Sequence, residues 1–345
     1  MRRRDCLTLM AGAVAAPAFA ASQGSTDWRA WKARFLTAEG RVVDALQDDA
    51  SHSEGQGYGM LLAALEGDAT SFMAMHDWTE RHLAVRRDPL MAWRWLPRAH
   101  PHVQDYNNAS DGDLFYAWAL LEGARRFGVP AQADRAGSIA TTLVAACIRP
   151  DPRDPRARLF LPAAEHFGDA MRRVVNPSYI MPRAMEALAA AFDLPDLRRA
   201  ASDGVALIAK LATDGLVPDW VEIDAAGARP ARDFAPHSGY EALRVPLFLL
   251  WSGYGDHPAV DRAAAALHPS AGATTPTLLS LDGDVLERSH FAGFAALAAL
   301  ARCAATGGTT LPRFDADQPY YPATLQLLAF HAARAEAPQC RTASQ

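Results

Sequence analysis

The stretch Ser53-Glu54-Gly55-Gln56-Gly57-Tyr58-Gly59-Met60 opens a run, continuing to Leu65, whose apolar residues recur with helical period. Ser53 and Gln56 have the S-x-x-Q spacing of a capping box, which predicts a helix start with Glu54 fixed at the first helical position. Ser110-Asp111-Gly112-Asp113 repeats the device with Asp111 at the same place, and Ser238-Gly239-Tyr240-Glu241 repeats it with Glu241 as the box acid. The helix macrodipole favours an acid in the first turn by ~0.3–1 kcal/mol, so any one of these boxes alone reads as an ordinary helix start. Gly55, Gly57 and Gly59 add to the reading of the first, since each costs a helix ~1 kcal/mol relative to alanine. Something must need the bare backbone there, and close approach of a ligand is the usual reason. Three helix-start acids together predict one acidic cleft.

Outward from these boxes, the apolar pattern is helical along the chain. Trp28 to Leu46, Tyr58 to Leu65, Ser71 to Leu83, Asp113 to Phe127, Ala131 to Ala146 and Tyr179 to Phe192 are helix candidates. So are Leu197 to Leu211, Glu241 to Trp251, Val260 to Leu267, His290 to Ala304 and Tyr320 to Ala333. Clusters such as Arg149-Pro150-Asp151-Pro152-Arg153-Asp154-Pro155 interrupt them, because proline cannot continue a helix, and no linker divides the chain. Periodicity alone supports one all-α domain; a ring of helix pairs and an open superhelical array both satisfy it. The boxes favour the ring. Carboxylates at the starts of helices far apart in sequence converge only if those N-termini share one end.

Arg2, Arg3 and Arg4, the apolar run Leu7 to Ala16 and Ala18-Phe19-Ala20 have the order of a secretory signal peptide, which places residues 1–20 outside the mature chain and residues 21–345 inside it. The apolar run is shorter than the ~20 residues that span a bilayer, and none downstream is longer, so no membrane span is expected in the mature chain. Removal of Cys6 leaves Cys147, Cys303 and Cys340, an odd set that permits one intramolecular bond; Cys303 with Cys340 is the pair to test, against three buried thiols. The net charge of −5 becomes more negative once three arginines and one aspartate leave, which speaks against nucleic acid as a partner. His52, His102, His237 and His290 are scattered without ligand spacing, so neither a metal nor another cofactor is expected.

The runs SEGQGYGMLLAAL at Ser53 to Leu65 and ASDGDLFYAWALLEGARRFG at Ala109 to Gly128 resemble the two signatures of glycoside hydrolase family 8. Within it the chain is similar to the periplasmic endo-β-1,4-glucanases that accompany bacterial cellulose synthase. Further matches follow in order: Met91-Ala92-Trp93-Arg94-Trp95, Asn176-Pro177-Ser178-Tyr179, Pro218-Asp219-Trp220, Gly239-Tyr240-Glu241-Ala242-Leu243-Arg244-Val245-Pro246 and Tyr320-Tyr321-Pro322-Ala323-Thr324-Leu325. The resemblance spans about Trp28 to Ala333 and implies an (α/α)6 toroid in a single domain. Tyr116 and Gly123 depart from the second signature on the helix body, as packing variants. Glu241 stands where the main subfamily has the aspartate that acts as general base.

The resemblance implies inverting hydrolysis, which needs a protonated carboxyl beside the leaving oxygen and a carboxylate ~6.5–9.5 Å away that holds the attacking water. Glu54 takes the place of the acid, and its pKa must be raised by burial or by a neighbouring carboxylate such as Asp111. Asp111 is also the residue that grips the distorted sugar. Glu241 is the base by position, one methylene longer than aspartate, with Asp219 and Asp233 as fallbacks. Arg244, three residues on, shares its helix face and would keep it ionised, unless the pair is merely a surface salt bridge. Trp93, Tyr179, Trp220, Arg244 and Tyr320 are the substrate-binding candidates, since sugar faces stack on aromatic rings. The expected function is endo-hydrolysis of β-1,4-glucan in the periplasm or outside the cell, beside the cellulose synthase and export machinery. Hydrolysis of chitosan, mixed-linkage glucan or xylan is the alternative, as is a polysaccharide-binding subunit weakened in catalysis. A toroid lyase is disfavoured, because it must neutralise a substrate carboxylate and this chain is acidic.

Overall fold

A computed structural model describes residues 24–169, 171–269 and 274–340; the expected signal peptide lies outside the described residues. Helix periodicity in the sequence becomes eleven helices among the described residues: α1 (Thr26–Phe35), α2 (Ser53–Glu66), α3 (Ala69–His82), α4 (Ser110–Phe127), α5 (Pro130–Cys147), α6 (Pro182–Phe192), α7 (Pro195–Asp214), α8 (Arg244–Trp251), α9 (Pro258–Ala266), α10 (Ala292–Thr306) and α11 (Tyr320–Glu336). Each corresponds to one expected helix. α2, α4, α6, α8 and α11 pack each on the next, and α11 returns to α2. α3, α5, α7 and α9 each back the helix before them, α10 lies against α8, α9 and α11, and α1 lies against α11. The molecule is an (α/α)6 toroid in one domain.

The ring is closed by apolar and polar contacts between sequence ends. Trp31 stands 6.3 Å from the Tyr320 ring and its indole N–H donates to Thr324 Oγ1 at 2.9 Å. Cys303 on α10 and Cys340 beyond α11 form a disulfide, and Cys147 is a buried free thiol.

Several boundaries differ from expectation for identifiable reasons. The first helix stops at Phe35, not Leu46, because the chain turns through Gly40 at φ +93° and Val42 bridges back to Leu36. Residues 176–179 form a 3-10 turn and α6 starts only at Pro182, since Asn176 caps the turn by accepting the Ser178 N–H. Four small antiparallel sheets, absent from the sequence reading, decorate the connections among the described residues. They are β1 (Ser51–His52) with β2 (Arg94–Trp95), β3 (Ile148–Pro150) with β4 (Arg158–Phe160), and two three-stranded sheets. The first of these joins β5 (Arg172–Val175), β6 (Val221–Asp224) and β7 (Gly227–Pro230); the second joins β8 (His237–Ser238), β9 (Thr275–Ser280) and β10 (Val285–Ser289). Strands this short cannot show a period-two pattern, and β10 is exposed along nearly its whole length.

The capping boxes do not form, although the helices start within a residue or two of where two of them placed it. Ser53 and Ser110 are themselves the first helical residues, preceded by His52 and Ala109 without a side-chain cap. Gln56 points sideways: its oxygen accepts the Val42 N–H at 2.6 Å and its nitrogen donates to Thr79 Oγ1 at 2.8 Å. Ser110 Oγ donates to Leu161 O at 2.7 Å. The third box is displaced altogether, with Ser238 in β8, Glu241 in a turn and α8 beginning at Arg244.

The glycines of α2 admit protein, not a ligand. A Cβ on Gly57 would lie 2.9 Å from Tyr116 N, one on Gly59 2.8 Å from Met75 Sδ, and one on Gly55 3.1 Å from the Tyr320 hydroxyl. Opposite them, a Cβ on Gly112 would lie 2.2 Å from Ser53 Oγ and 2.7 Å from Glu54 N, so bare backbone lets the first turns of α2 and α4 touch. Gly112→Ala is therefore expected to destabilise the fold by ~1–3 kcal/mol, the range for overpacking. Gly255→Ala, with nothing within 4 Å of its Cβ, is the control and should leave the melting temperature nearly unchanged in calorimetry.

Candidate active site

The ring architecture turns the N-termini of α2, α4, α8 and α11 to one end, and Glu54, Asp111, Glu241 and Tyr320 come with them. At their centre is Arg244, whose side chain is 2% exposed. Its Nη1 donates to Glu54 Oε2 at 2.5 Å and lies 3.5 Å from Asp111 Oδ2, and its Nη2 donates to Glu241 Oε2. Nη1 also lies 3.3 Å from the Tyr58 hydroxyl, Nη2 donates to Ser178 Oγ at 2.8 Å, and the guanidinium stands over the Tyr179 ring. The Arg244–Glu241 pair is thus part of a buried four-charge cluster, not a surface salt bridge.

One guanidinium cannot balance three carboxylates in a buried place. Burial, above all, raises the Glu54 pKa; the nearby Glu241 charge adds to this, while Arg244 opposes it. Asp111 is raised well above the ordinary aspartate range, by burial first and by Glu54 next. The side chains differ in access: Glu54 is 23% and Glu241 32% exposed, against 2% for Asp111. Glu54 and Glu241 line an open cleft of about 500 Å³ with Tyr240, Phe291, Tyr320 and Tyr321.

Around this cluster the other expected residues take distinct places. Tyr320 is 4% exposed and packed edge-on to Phe35, and among the described residues its hydroxyl meets no hydrogen-bond partner. Trp93 sits beside Glu54 because its carbonyl accepts the Ser53 N–H at 3.0 Å; its ring stacks on His52 and its indole N–H donates to Asp105. Trp220 stacks on Phe234 at 4.3 Å and on Phe167 at 5.7 Å, with Tyr179 tilted against it at 6.3 Å. Tyr179 joins this group of rings to the cluster, since it meets both Arg244 and Trp220.

The fallback acids separate clearly. Asp219 Oδ1 accepts the N–H groups of Gly239 and Ala242, both at 2.8 Å, and so shapes the turn that presents Glu241. Asp233 pairs with Arg172 on the exposed edge of β5 and is not brought to the cluster. Sequence reading did not single out Tyr58, Asn176, Ser178, Tyr240 or Tyr321 for the site, although all five lie inside the motifs that pointed to it. A polar side chain inside an apolar helical run, as Tyr58 is, was the available signal. Among the described residues no group of three or more His, Cys, Asp and Glu could hold a metal ion. A larger cavity of about 950 Å³ lies at the other end of the ring, where Arg183 pairs with Glu336 and His331 with Glu66.

An (α/α)6 toroid with acids gathered at one end in an open, ring-lined cleft has the build of a carbohydrate-cleaving enzyme. The chain belongs to the glycosyl hydrolases of family 8, whose family model matches residues 2–335. It is 35% identical to a probable endoglucanase of Novacetimonas hansenii over 90% of each chain, and 33% identical to an endoglucanase of Cellulomonas uda over 71% of this chain and 66% of that one. Among solved structures it is similar to an endo-β-1,4-glucanase from an Achatina fulica gut metagenomic library, with TM-score 0.81, 31% identity and coverage of 93% of this chain and 99% of that one. It is also similar to an endo-β-1,4-glucanase from Acetobacter xylinum, with TM-score 0.78, 30% identity and coverage of 90% and 97%.

Replacing Arg244 by methionine keeps much of its volume and removes the only charge that all three acids share. The folded pKa values of Glu54 and Asp111 then rise further above their unfolded values, so the folded state binds more protons than the unfolded one and stability falls as pH rises through that interval. The expected loss is ~3–5 kcal/mol near neutral pH and smaller near pH ~4, where about half of the unfolded carboxyls are already protonated. Thermal unfolding of Arg244→Met and wild type at both pH values measures the difference.

Proposed function

We propose that the chain is an endo-acting, inverting hydrolase of β-1,4-glucan, with Glu54 as general acid, Glu241 as general base and Asp111 gripping the sugar at the cleavage point. The observation that carries this reading is the convergence of Glu54 and Glu241 on Arg244 at an open cleft, with Glu54 held above its ordinary pKa of 4.5. An acid must hold its proton until the leaving oxygen needs it, and burial supplies that. Glu241, one-third exposed at the cleft and anchored by a guanidinium, is placed to accept a proton from water. Polymer binding follows the rings: Trp93 and Tyr320 near Glu54, and Tyr179 with Trp220 beyond Arg244. Endoglucanase names among the relatives support β-1,4-glucan over chitosan or xylan as the polymer.

Residues 1–20 are proposed as an export signal and residues 21–345 as the catalytic domain, which places the enzyme in the periplasm or outside the cell. The Cys303–Cys340 disulfide supports an oxidising compartment, and no helix among the described residues is long and apolar enough to cross a membrane. Work beside a cellulose synthase and export machine is the biological setting this reading suggests.

Glu54→Gln should leave polymer binding in place and lower turnover on a soluble cellulose derivative by ~10²–10⁴-fold, because the amide cannot donate the proton. Since Glu54 must be protonated, wild-type kcat/KM should fall as pH rises through a Glu54 pKa above 4.5; a basic limb at or below that value would contradict the assignment. The first product should be the α-anomer, observed by proton magnetic resonance on a fresh digest, because inversion of a β-link passes through no covalent intermediate. Binding of glucan, chitosan or xylan with hydrolysis of none would replace the enzyme reading with the binding-subunit one.

A further inference from the structure

Glu241 is held by one of its two oxygens. Oε2 receives Arg244 Nη2, accepts the Asn176 Nδ2–H at 2.9 Å and lies 3.3 Å from Ser178 Oγ, whereas no hydrogen bond among the described residues reaches Oε1. Asn176 and Ser178 are each 1% exposed, so their polar atoms answer to this network and not to solvent. The asparagine amide can face only one way. Its Oδ1 accepts the Ser178 N–H at 3.0 Å and the Ser178 hydroxyl at 2.7 Å, which leaves Nδ2 as the end that meets Glu241. Ser178 Oγ, its proton given to Asn176, is free to accept from Arg244 at 2.8 Å.

We propose that Asn176 and Ser178 are positioning residues for the base: they anchor Oε2 of Glu241 so that Oε1 is the atom that takes the proton from the attacking water. The proposal rests on the reading of Glu241 as base. In the step, the water oxygen bonds to the anomeric carbon as the bond from that carbon to the leaving glycosidic oxygen breaks. The water proton passes to Oε1, and the Glu54 proton passes to the leaving oxygen. An oxygen already holding two or three donors has its lone pairs engaged, so the free oxygen is the more basic of the two. Glutamate also has one more rotatable bond than aspartate, and a base that swings misplaces its water; the Asn176 amide removes that freedom.

Asn176→Asp isolates this role. The new carboxyl keeps Oδ1 to cap the turn and accept from Ser178, turns the atom that meets Glu241 from a donor into an acceptor, and adds an ionisable group there. Two carboxyls at hydrogen-bond distance share one proton, which raises the pKa at which the base becomes free. On a soluble cellulose derivative the acidic limb of kcat/KM should therefore move up by about one pH unit or more. At the wild-type optimum kcat should fall about tenfold or more with KM changed less than about threefold, and activity should return toward higher pH. An unmoved acidic limb in a folded Asn176→Asp protein overturns the proposal. Should that variant not fold, Ser178→Ala, which keeps the backbone cap, carries the same test: its kcat should fall with KM nearly unchanged, and wild-type kcat would overturn the proposal. Glu241→Ala separates the two layers. If it is nearly inactive and the acidic limb of Asn176→Asp stays put, only the positioning role falls; if it keeps near-normal turnover, the base assignment and the positioning role fall together.

Discussion

Arg244 is the constraint on which the rest of the site depends. It is a single buried cation reached by acids from α2, from α4 and from the turn before α8, three segments far apart in sequence. Without it, their mutual repulsion and desolvation would drive them apart or leave all three neutral, since an unpaired buried carboxylate shifts its pKa before it accepts burial. With it, the charge is undercompensated, and the deficit is shared unequally. Asp111, the most enclosed, is pushed up furthest, Glu54 is raised, and Glu241 keeps the most contact with solvent and with hydrogen-bond donors. Different roles for similar side chains follow from that difference in surroundings.

The toroid supplies the geometry that makes such a cluster possible. Inner helices that start at one end present first-turn side chains to one another, and the first turns of α2 and α4 are brought into contact by Gly112 against Ser53 and Glu54. A side chain on Gly112 would collide with Ser53 and the Glu54 backbone and so force the two first turns apart. Asp219 works from outside the cluster, fastening the turn of residues 239–242 so that Glu241 projects from a fixed backbone without being part of the helix. The longer glutamate is accommodated there by its own anchors, Asn176 and Arg244.

Much of this was legible in the sequence, for reasons that can be named. The helices were legible because the outer ones bury a stripe that repeats at 3.6 residues and the inner ones appear as apolar runs too long for strands. The inference that helix-start acids share one end was sound even though the capping boxes behind it were not: Gln56 serves Val42 and Thr79 instead of its own helix start. The local pattern marked the right positions for a tertiary reason. The purpose of Gly55, Gly57 and Gly59 was misread because a chain alone cannot distinguish a ligand from a neighbouring helix as the thing that comes close. The β5–β6 pairing and the contacts of Asn176 and Ser178 with Glu241 were beyond reach, since each depends on partners some 45 to 65 residues away.

The clasp between Trp31 and Thr324 joins positions 293 residues apart. α11, which carries Tyr320 into the cleft, must therefore return across nearly the whole described chain to α1 and α2 before the ring exists. Contacts of such span are slow to form, because a long loop must be closed before any stabilising contact is gained. The cleft is thus a property of the finished circle: a nascent or half-threaded chain carries Glu54 and Asp111 but has no walled groove in which to hold a polymer. The groove in this architecture exists only once α11 has closed the ring.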